Sequence, residues 1–263
     1  IRGLLIDVHY GIRRPNSNLV WTDLGASGGR PNKAADALPP AALEAAEGAA
    51  GQVGGAAPPG ARELFLCHTL CELGAEPLAR ELVAIREFLE RNPGQVLLVI
   101  VEDYVEPAAI ERAFTRAGLA SMAARLPSSG PLPTLGQLLD RGKHLLVFSE
   151  EHGGDPPWFM PAFTYVGDTP LGARRPGQLS CDAFRGEPGA PLLLINHWIP
   201  PFPPSPRLNA AIGRAPLLRQ RVRACMRERG AEGAIVAVDF YERTAAVRVA
   251  RQLNATGATG GGR

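Results

Sequence analysis

Apolar and polar positions alternate along the chain in blocks that predict strands and helices in turn. Six apolar runs predict strands, at 3–9, 63–67, 96–101, 144–149, 192–195 and 234–238, and a weaker seventh run covers 162–166. Most runs are apolar at every position rather than at every second one, which is typical of parallel strands buried on both faces. The pattern therefore predicts an α/β fold with a parallel sheet.

Amphipathic segments between these runs predict the helices, which cover 76–91, 108–117, 135–141, 217–229 and 244–253. Strands that alternate with helices in this way are joined by right-handed crossovers. The arginines of 217–229 are interpreted as a solvated helix face rather than a binding patch. Neither a repeat nor a clean boundary divides the chain, so we expect one domain over 1–254 and a flexible tail over 255–263.

Polar side chains recur where the apolar runs end. They are Asp7, His9, His68, Glu102, Asp103, Glu150, Glu151, Asn196, His197 and Asp239. In a β/α barrel the carboxyl ends of all strands meet at one mouth, so these side chains would surround a single site. No G-x-G-x-x-G or Walker A sequence favours a nucleotide fold instead. The spacing therefore favours a TIM-type (β/α) barrel whose site does acid–base work or holds a cation.

Composition narrows the class of protein further. The 263 residues carry 28 Lys and Arg against 26 Asp and Glu, a formal net charge of +2, which argues against nucleic-acid binding. No run approaches the roughly 18 apolar residues of a membrane helix. The four cysteines lack zinc-site spacing. They could form two disulfides in any of three pairings, as in an oxidising compartment, or stay buried free thiols.

Five segments, in this order, resemble the phosphatidylinositol-specific phospholipase C X-domain family, most closely its bacterial phospholipase-C-like phosphodiesterase branch. They are RGLLIDVHYG at 2–11, LCHTLCELGA at 66–75, VEDY at 101–104, NHWI at 196–199 and AVDFYE at 237–242. The resemblance implies a distorted TIM barrel. It also implies cleavage of a phosphodiester by the substrate's own neighbouring hydroxyl, with one histidine as general base and a second as general acid.

The resemblance also implies roles for single residues. His68 matches the general acid, and Asp7 matches the acidic residue that serves this histidine or, in calcium-dependent members, Ca²⁺. Glu102 matches an acid that binds Ca²⁺ in those members, and Asp239 an acid that orients the base. We expect the residues after the last two strands to contact substrate. These are Asn196, His197, Trp198 and Tyr241.

Three departures from the family pattern matter. His9 stands where the metal-independent members carry an arginine, and Thr69 replaces the usual glycine. A divalent cation (Ca²⁺ or Mg²⁺) at Asp7 and Glu102 would supply the missing positive charge. No T-H-N-S-like segment with the base histidine occurs. We expect it upstream of Ile1, so that the barrel lacks its first strand here, although His9 could substitute as base.

The sequence thus predicts an extracellular or cell-envelope phosphoric diester hydrolase or cyclase acting on a phospholipid or related phosphodiester. Two alternatives are a metal-dependent glycerophosphodiesterase- or sphingomyelinase-D-like enzyme and a secreted lipid- or glycan-binding barrel that has lost catalysis. Aromatic and apolar residues near strand ends either insert into a lipid surface or pack under loops. They are Trp158, Phe159, Phe163, Tyr165, Trp198, Ile199 and Phe202.

Overall fold

The structure is a computed structural model that describes residues 1–13, 20–21, 61–68, 71, 74–200 and 205–258, with the single residues 40, 44 and 48. These residues form two compact units, Arg2–Ala162 and Phe163–Arg263, with Ile1 grouped with the second. Each unit has its own sheet and helices, and each is described separately. The domain prediction over 1–254 stays a prediction.

The first unit is built on a mixed sheet of seven strands. They are β1 (Gly3–Arg13), β2 (Val20–Trp21), β3 (Glu63–Leu66), β4 (Glu76–Pro77), β5 (Leu97–Asp103), β6 (Leu145–Ser149) and β7 (Phe159–Pro161). The order is β4-β3-β1-β5-β6-β7, and β2 also pairs with β1. The strands β1, β5, β6 and β7 run parallel, whereas β2 and β3 pair antiparallel with β1, and β4 antiparallel with β3.

Helices α1 (Leu78–Arg91), α2 (Pro107–Arg116) and α3 (Leu135–Asp140) belong to this unit, with a 3₁₀ turn at Ala120–Met122. The apolar stripe of α1 and the buried side chains of α2 cover one face of the sheet. Val8, Val99, Val101 and Val147 lie in the same core cluster, so every second residue of β1, β5 and β6 faces these helices. The alternate residues face the other side, which is where the candidate site lies.

The second unit carries a parallel sheet of three strands, β8 (Val166–Asp168), β9 (Leu192–Asn196) and β10 (Ala234–Ala237), in the order β10-β9-β8. Helices α5 (Pro206–Ile212), α6 (Ala215–Glu228) and α7 (Ala246–Ala258) follow in chain order, with 3₁₀ turns at Pro176–Gln178 and Tyr241–Arg243. The short helix α4 (Ala162–Tyr165) connects β7 to β8. Buried apolar residues of β9, α6 and α7 form the core of this unit.

Most of the predicted elements are confirmed, and the strand over 162–166 is wrong. The apolar stretch from Phe159 to Val166 is too long for one of these short strands. The chain makes a single helical turn in its middle, α4, so that β7 pairs with β6 and β8 pairs with β9.

A closed TIM-type barrel is not confirmed by the described residues, whose strands form two separate sheets. The direction of β3 also differs from an all-parallel sheet. Glu63, the first residue of β3, pairs with Gly11 near the carboxyl end of β1, so β3 begins beside that end and runs back antiparallel to β1. A parallel strand would have needed a crossover to the other end of the sheet. Among the described helices, none has the length and apolar character needed to cross a membrane.

Candidate active site

Strand alternation places three of the predicted site residues on one face of the first sheet. Leu4, Ile6 and Val8 of β1 pack against the helices, so Asp7 and His9 point to the opposite face. Asp7 is the register partner of Glu102 on the neighbouring parallel strand β5, which puts Glu102 on the same face as Asp7. The sequence prediction brought Asp7, His9 and Glu102 together, and the sheet register does the same.

His68 forms a direct pair with Asp7. It follows β3, which runs down alongside β1, and the backbone nitrogen of the preceding Cys67 donates to the carbonyl oxygen of Asp7 at 3.4 Å. The distance from Nδ1 of His68 to Oδ2 of Asp7 is 2.5 Å. Because an ionised carboxylate only accepts hydrogen bonds, Nδ1 carries the proton and donates it. The His68 side chain is 76% exposed, so the imidazole is oriented through Nδ1 while most of its surface is accessible to solvent.

A disulfide between Cys67 and Cys71 brackets this histidine. Cys71 is buried together with Val20 and Phe65, and Cys67 packs against the same cluster. The second disulfide joins Cys181 to Cys225 in the other unit. Of the alternatives left open by the sequence, two disulfides in this pairing are therefore what the structure contains.

His9 lies beside this pair in a buried position. Its side chain is only 2% exposed, and its ring stacks on that of Tyr104 with centroids 4.2 Å apart. Burial lowers the pKa of His9 to about 4, with the nearby Asp7 carboxylate opposing that shift and His68 adding to it. The imidazole is therefore neutral at pH 7 and supplies no positive charge to the site.

The carboxylates of Asp7 and Glu102 are a limited donor set for a cation. Asp7 accepts the hydrogen bond from His68, and Glu102 accepts one from the Tyr104 hydroxyl. Within the described part of the chain, no third His, Cys, Asp or Glu completes a group around these two. Ca²⁺ takes six to eight oxygens. The described side chains alone therefore do not fit a resident ion.

A second cluster of three such side chains does form, from His9, Cys67 and Cys71, whose potential ligand atoms lie within 4.8 Å of one another. Both sulfurs are bonded to each other in the disulfide. A metal would need them as thiolates, so this group is not a metal centre in the oxidised protein.

Asp103, next to Glu102, serves the opposite face of β5. Its carboxylate is fully buried and accepts hydrogen bonds from the Ser149 hydroxyl (2.8 Å), the Glu151 backbone (3.1 Å) and Nδ1 of His152 (2.6 Å). These contacts hold the start of the segment after β6. Sequence reasoning grouped Asp103 with the site residues, whereas the strand alternation separates it from them.

The remaining predicted site residues lie in the second unit. Asn196 is buried and donates to Asp168 and to the carbonyl oxygen of Thr169, while His197 is buried with Nε2 3.2 Å from the carbonyl oxygen of Ile212. Burial lowers the pKa of His197. The protein thus holds both side chains internally, and their predicted role in substrate binding stays a prediction.

Trp198, Asp239 and Tyr241 are more accessible than these two. Trp198 and Asp239 are half-buried, and Tyr241 is 48% exposed at the start of the turn after β10. Phe240, which lies between Asp239 and Tyr241 in sequence, adopts a left-handed backbone conformation with φ 50°. This conformation is rare for an aromatic residue, and it turns the chain sharply there.

Sequence reasoning missed Asp168, a fully buried acid at the end of β8. Arg185 donates to it from Nε (3.0 Å) and Nη2 (2.7 Å), and the guanidinium lies over the ring of Phe163. An acidic residue at the end of a strand is the pattern that could have identified Asp168. It was not identified because the strand was predicted to end at Val166, two residues earlier.

The aromatic residues proposed for a lipid surface are mostly internal. Phe159, Tyr165 and Ile199 are buried, and Trp158 packs against the core of the first unit. These four residues therefore pack inside the protein, which is the alternative to insertion into a lipid surface. Thr69 and Phe202 lie outside the described residues.

The structure places this chain in the general class of α/β proteins, with a carboxylate–histidine pair on one face of a mixed sheet. The sequence model of one family, the PI-PLC X domain (PI-PLC X 1), matches residues 58–254. This match covers most of the chain, which therefore belongs to the PI-PLC X domain family.

Relatives named after the same domain occur in a fungus and a plant. PI-PLC X domain-containing protein 1 of Arthroderma benhamiae is 24% identical over 210 residues, 72% of this chain and 68% of that protein. PI-PLC X domain-containing protein At5g67130 of Arabidopsis thaliana is 26% identical over 202 residues, 69% of this chain and 46% of that protein. These relatives do not support the predicted bacterial branch.

An uncharacterized secreted protein of Arthroderma benhamiae is 27% identical over 129 residues, 41% of this chain and 26% of that protein. The chain thus spans less than half the length of two of these three relatives. No solved structure matches the chain significantly.

Proposed function

We propose that this chain is a phosphoric diester hydrolase or cyclase of the phosphatidylinositol phospholipase C type, acting on a phospholipid or related phosphodiester. The observation that carries the proposal is the 2.5 Å contact between Asp7 and an otherwise exposed His68. A histidine oriented by a carboxylate through one nitrogen is poised to exchange a proton through the other. Membership of the PI-PLC X domain family supports the same chemistry.

In the proposed reaction a hydroxyl of the substrate attacks the phosphorus and loses its proton to a base. The bond from phosphorus to the leaving oxygen breaks, and Nε2 of protonated His68 gives that oxygen its proton. Asp7 fixes the ring through Nδ1 and stabilises the imidazolium from which the proton departs. The cyclic phosphodiester that results is then open to hydrolysis by water.

His9 is poorly suited to be the base. A pKa of about 4 makes it a weak proton acceptor, and its burial against Tyr104 limits its access to substrate. We therefore assign no residue in the described part of the chain as the base.

Substitution of His68 tests the proposal directly. We expect His68→Asn to lower kcat by about 10²- to 10⁴-fold, the usual contribution of a general acid, and Asp7→Asn to lower kcat by a smaller factor. The assay is release of phosphorylated headgroup from phosphatidylinositol vesicles. His144→Asn is the matched control, because His144 is half-buried and its Nδ1 lies 3.2 Å from the carbonyl oxygen of Gln95, so it is not one of the residues placed in the site.

A fully active His68→Asn protein would refute the role of His68. Chelation tests the divalent cation that the sequence predicted at Asp7 and Glu102. Because these two carboxylates alone do not fit a resident ion, we expect activity to be unchanged in EDTA. Activity that is lost in EDTA and restored by Ca²⁺ would contradict this expectation.

One observation favours a second candidate function, a lipid- or glycan-binding protein without catalysis. The neutral, buried His9 leaves without charge the position at which the metal-independent members of the resembled family carry an arginine. Binding of phosphatidylinositol vesicles with no headgroup release, by wild type and His68→Asn alike, would favour this candidate. The metal-dependent glycerophosphodiesterase- or sphingomyelinase-D-like alternative is the one that EDTA would inactivate.

The extracellular or cell-envelope location and the membrane contact are part of the same proposal. Two disulfides, together with a relative named as a secreted protein, support an oxidising location. A phospholipid substrate would require contact with a membrane surface.

A further inference from the structure

An open pocket of about 610 Å³ in the second unit is lined by four arginines. Arg214 precedes α6, Arg243 ends the turn after β10, and Arg248 and Arg251 lie in α7. None of the residues that line the pocket is acidic. The ion pairs found among the described residues include none of these four arginines. Four positively charged residues therefore line one pocket of a chain whose formal net charge is only +2.

The walls of this pocket are fixed by close backbone contacts. The amide of Ala245 donates to the carbonyl oxygen of Gly213 at 2.8 Å. A Cβ atom at Gly213 would come within 2.6 Å of Cγ2 of Thr244, so the approach of these two loops needs glycine there. The loops that carry Arg214 and Arg243 are thus held against each other.

The pocket also lies at a favourable place in the fold. Its residues come from the segments after β9 and β10, beyond the carboxyl ends of parallel strands, where ligands of α/β sheets commonly bind. The first turn of α7 contributes to the lining, and the positive end of that helix dipole adds to the attraction for an anion. The position of the pocket after two parallel strands and its positive charge therefore both favour the binding of an anion.

We propose that this pocket, the arginine pocket, binds a phosphate-bearing small ligand with at least two negative charges. Guanidinium groups pair with phosphate oxygens through two parallel hydrogen bonds, and four arginines line this pocket. The volume lies within the range of small-molecule sites, about 300–1,000 Å³. The phosphates could belong to a soluble compound or to the headgroup of a lipid. This proposal uses neither His68 nor Asp7 and does not depend on the proposed catalysis.

Calorimetry with pyrophosphate at low salt is the first test. We expect one pyrophosphate to bind per chain, with an affinity that falls as NaCl is added, because salt screens the charges. The variant Arg243→Gln/Arg248→Gln should bind at least about tenfold more weakly, since each charge-assisted hydrogen bond contributes substantially to binding.

The matched control removes the same charge elsewhere in the same unit. Arg223 and Arg227 lie exposed on α6 and do not line the pocket. The variant Arg223→Gln/Arg227→Gln should bind pyrophosphate within about twofold of wild type, because loss of distant exposed charge is screened by solvent and salt. Thermal unfolding without ligand checks that both double variants are folded.

Three results would overturn the proposal. They are absence of pyrophosphate binding by the wild type, unchanged affinity in the folded pocket variant, and an equal loss in the α6 control. The third would show a general effect of net charge rather than a site.

Vesicle sedimentation then distinguishes the two sources of phosphate. Phosphatidylcholine vesicles containing phosphatidylinositol phosphate are compared with vesicles of equal charge containing phosphatidylserine. Sedimentation that needs the phosphorylated inositol lipid and is lost in the pocket variant assigns a lipid headgroup. Pyrophosphate binding without such sedimentation assigns a soluble phosphorylated ligand.

Discussion

At the scale of single residues, Glu102 and Asp103 show how neighbours in sequence take different tasks. Glu102 shares a face of the sheet with Asp7, whereas Asp103 lies on the face covered by helices and accepts three hydrogen bonds. A buried carboxylate is tolerated only when it is fully hydrogen-bonded, as Asp103 is. The two acids should therefore respond differently to mutation.

We expect Asp103→Ala to lower the free energy of unfolding by about 3 kcal/mol, because it leaves several buried donors without an acceptor. Glu102→Gln should lower it by no more than about 1 kcal/mol, because the amide oxygen of Gln can still accept the hydrogen bond from the Tyr104 hydroxyl at this half-buried position. Chemical denaturation at pH 7 measures both. Equal losses in the two variants would contradict the separation by face.

His9 gives the site a specific dependence of stability on pH. Its pKa is about 4 in the folded protein and 6.5 in the unfolded chain. Between these values the unfolded chain binds a proton that the folded protein does not, so stability falls as pH decreases through this window. From pH 7 to pH 5 the contribution of this one group is about 2 kcal/mol.

The measurement is chemical denaturation of wild type and His9→Asn at pH 7 and pH 5. Asparagine does not titrate, so the variant should lose about 2 kcal/mol less than wild type between the two pH values. Other groups, including His197, contribute equally to both proteins and cancel in the comparison. Identical pH dependence of the two proteins would mean that His9 is not held neutral by burial.

At the scale of elements, the sequence predicted which segments form strands better than how they pair. The runs of β1, β5 and β6 are apolar enough to be assigned as strands from their pattern alone, and Asp7 and Glu102 were identified because they lie where those runs end. The direction of β3 relative to β1 could not be predicted, because a strand of four residues carries no pattern that distinguishes parallel from antiparallel pairing.

Sites assembled from several elements were the least predictable. The arginine pocket draws on the turn before α6, the turn after β10 and α7, and none of these segments alone forms a basic run. The arginine-rich segment that does stand out in sequence, 217–229, contributes no residue to the pocket. Convergence in space, rather than density along the chain, produces the charge.

At the scale of the whole molecule, each disulfide lies within one of the two units and closes a loop of very different length. Cys67 and Cys71 are four residues apart, whereas Cys181 and Cys225 are 44 residues apart. The entropy removed from the unfolded chain grows with the length of the closed loop. The longer bridge should therefore stabilise the fold more, and the shorter one mainly restrains the segment around His68.

We expect Cys181→Ala/Cys225→Ala to lower the free energy of unfolding by about 4 kcal/mol and Cys67→Ala/Cys71→Ala by about 2 kcal/mol, from loop length alone. Denaturation of the two variants at pH 7 checks the order. The reverse order would show that local packing of Cys71 outweighs loop entropy.

The alternation of Glu102 and Asp103 across β5 also limits how the chain can change in length. Removal of one residue earlier in this strand would rotate all later side chains to the other face. Glu102 would enter the apolar core, and Asp103 would leave its three donors and turn toward Asp7. A point substitution removes one of these two carboxylates, whereas such a deletion moves both of them to the wrong face of the sheet. Length variants of this protein are therefore compatible with its site and its core only when they fall outside β5.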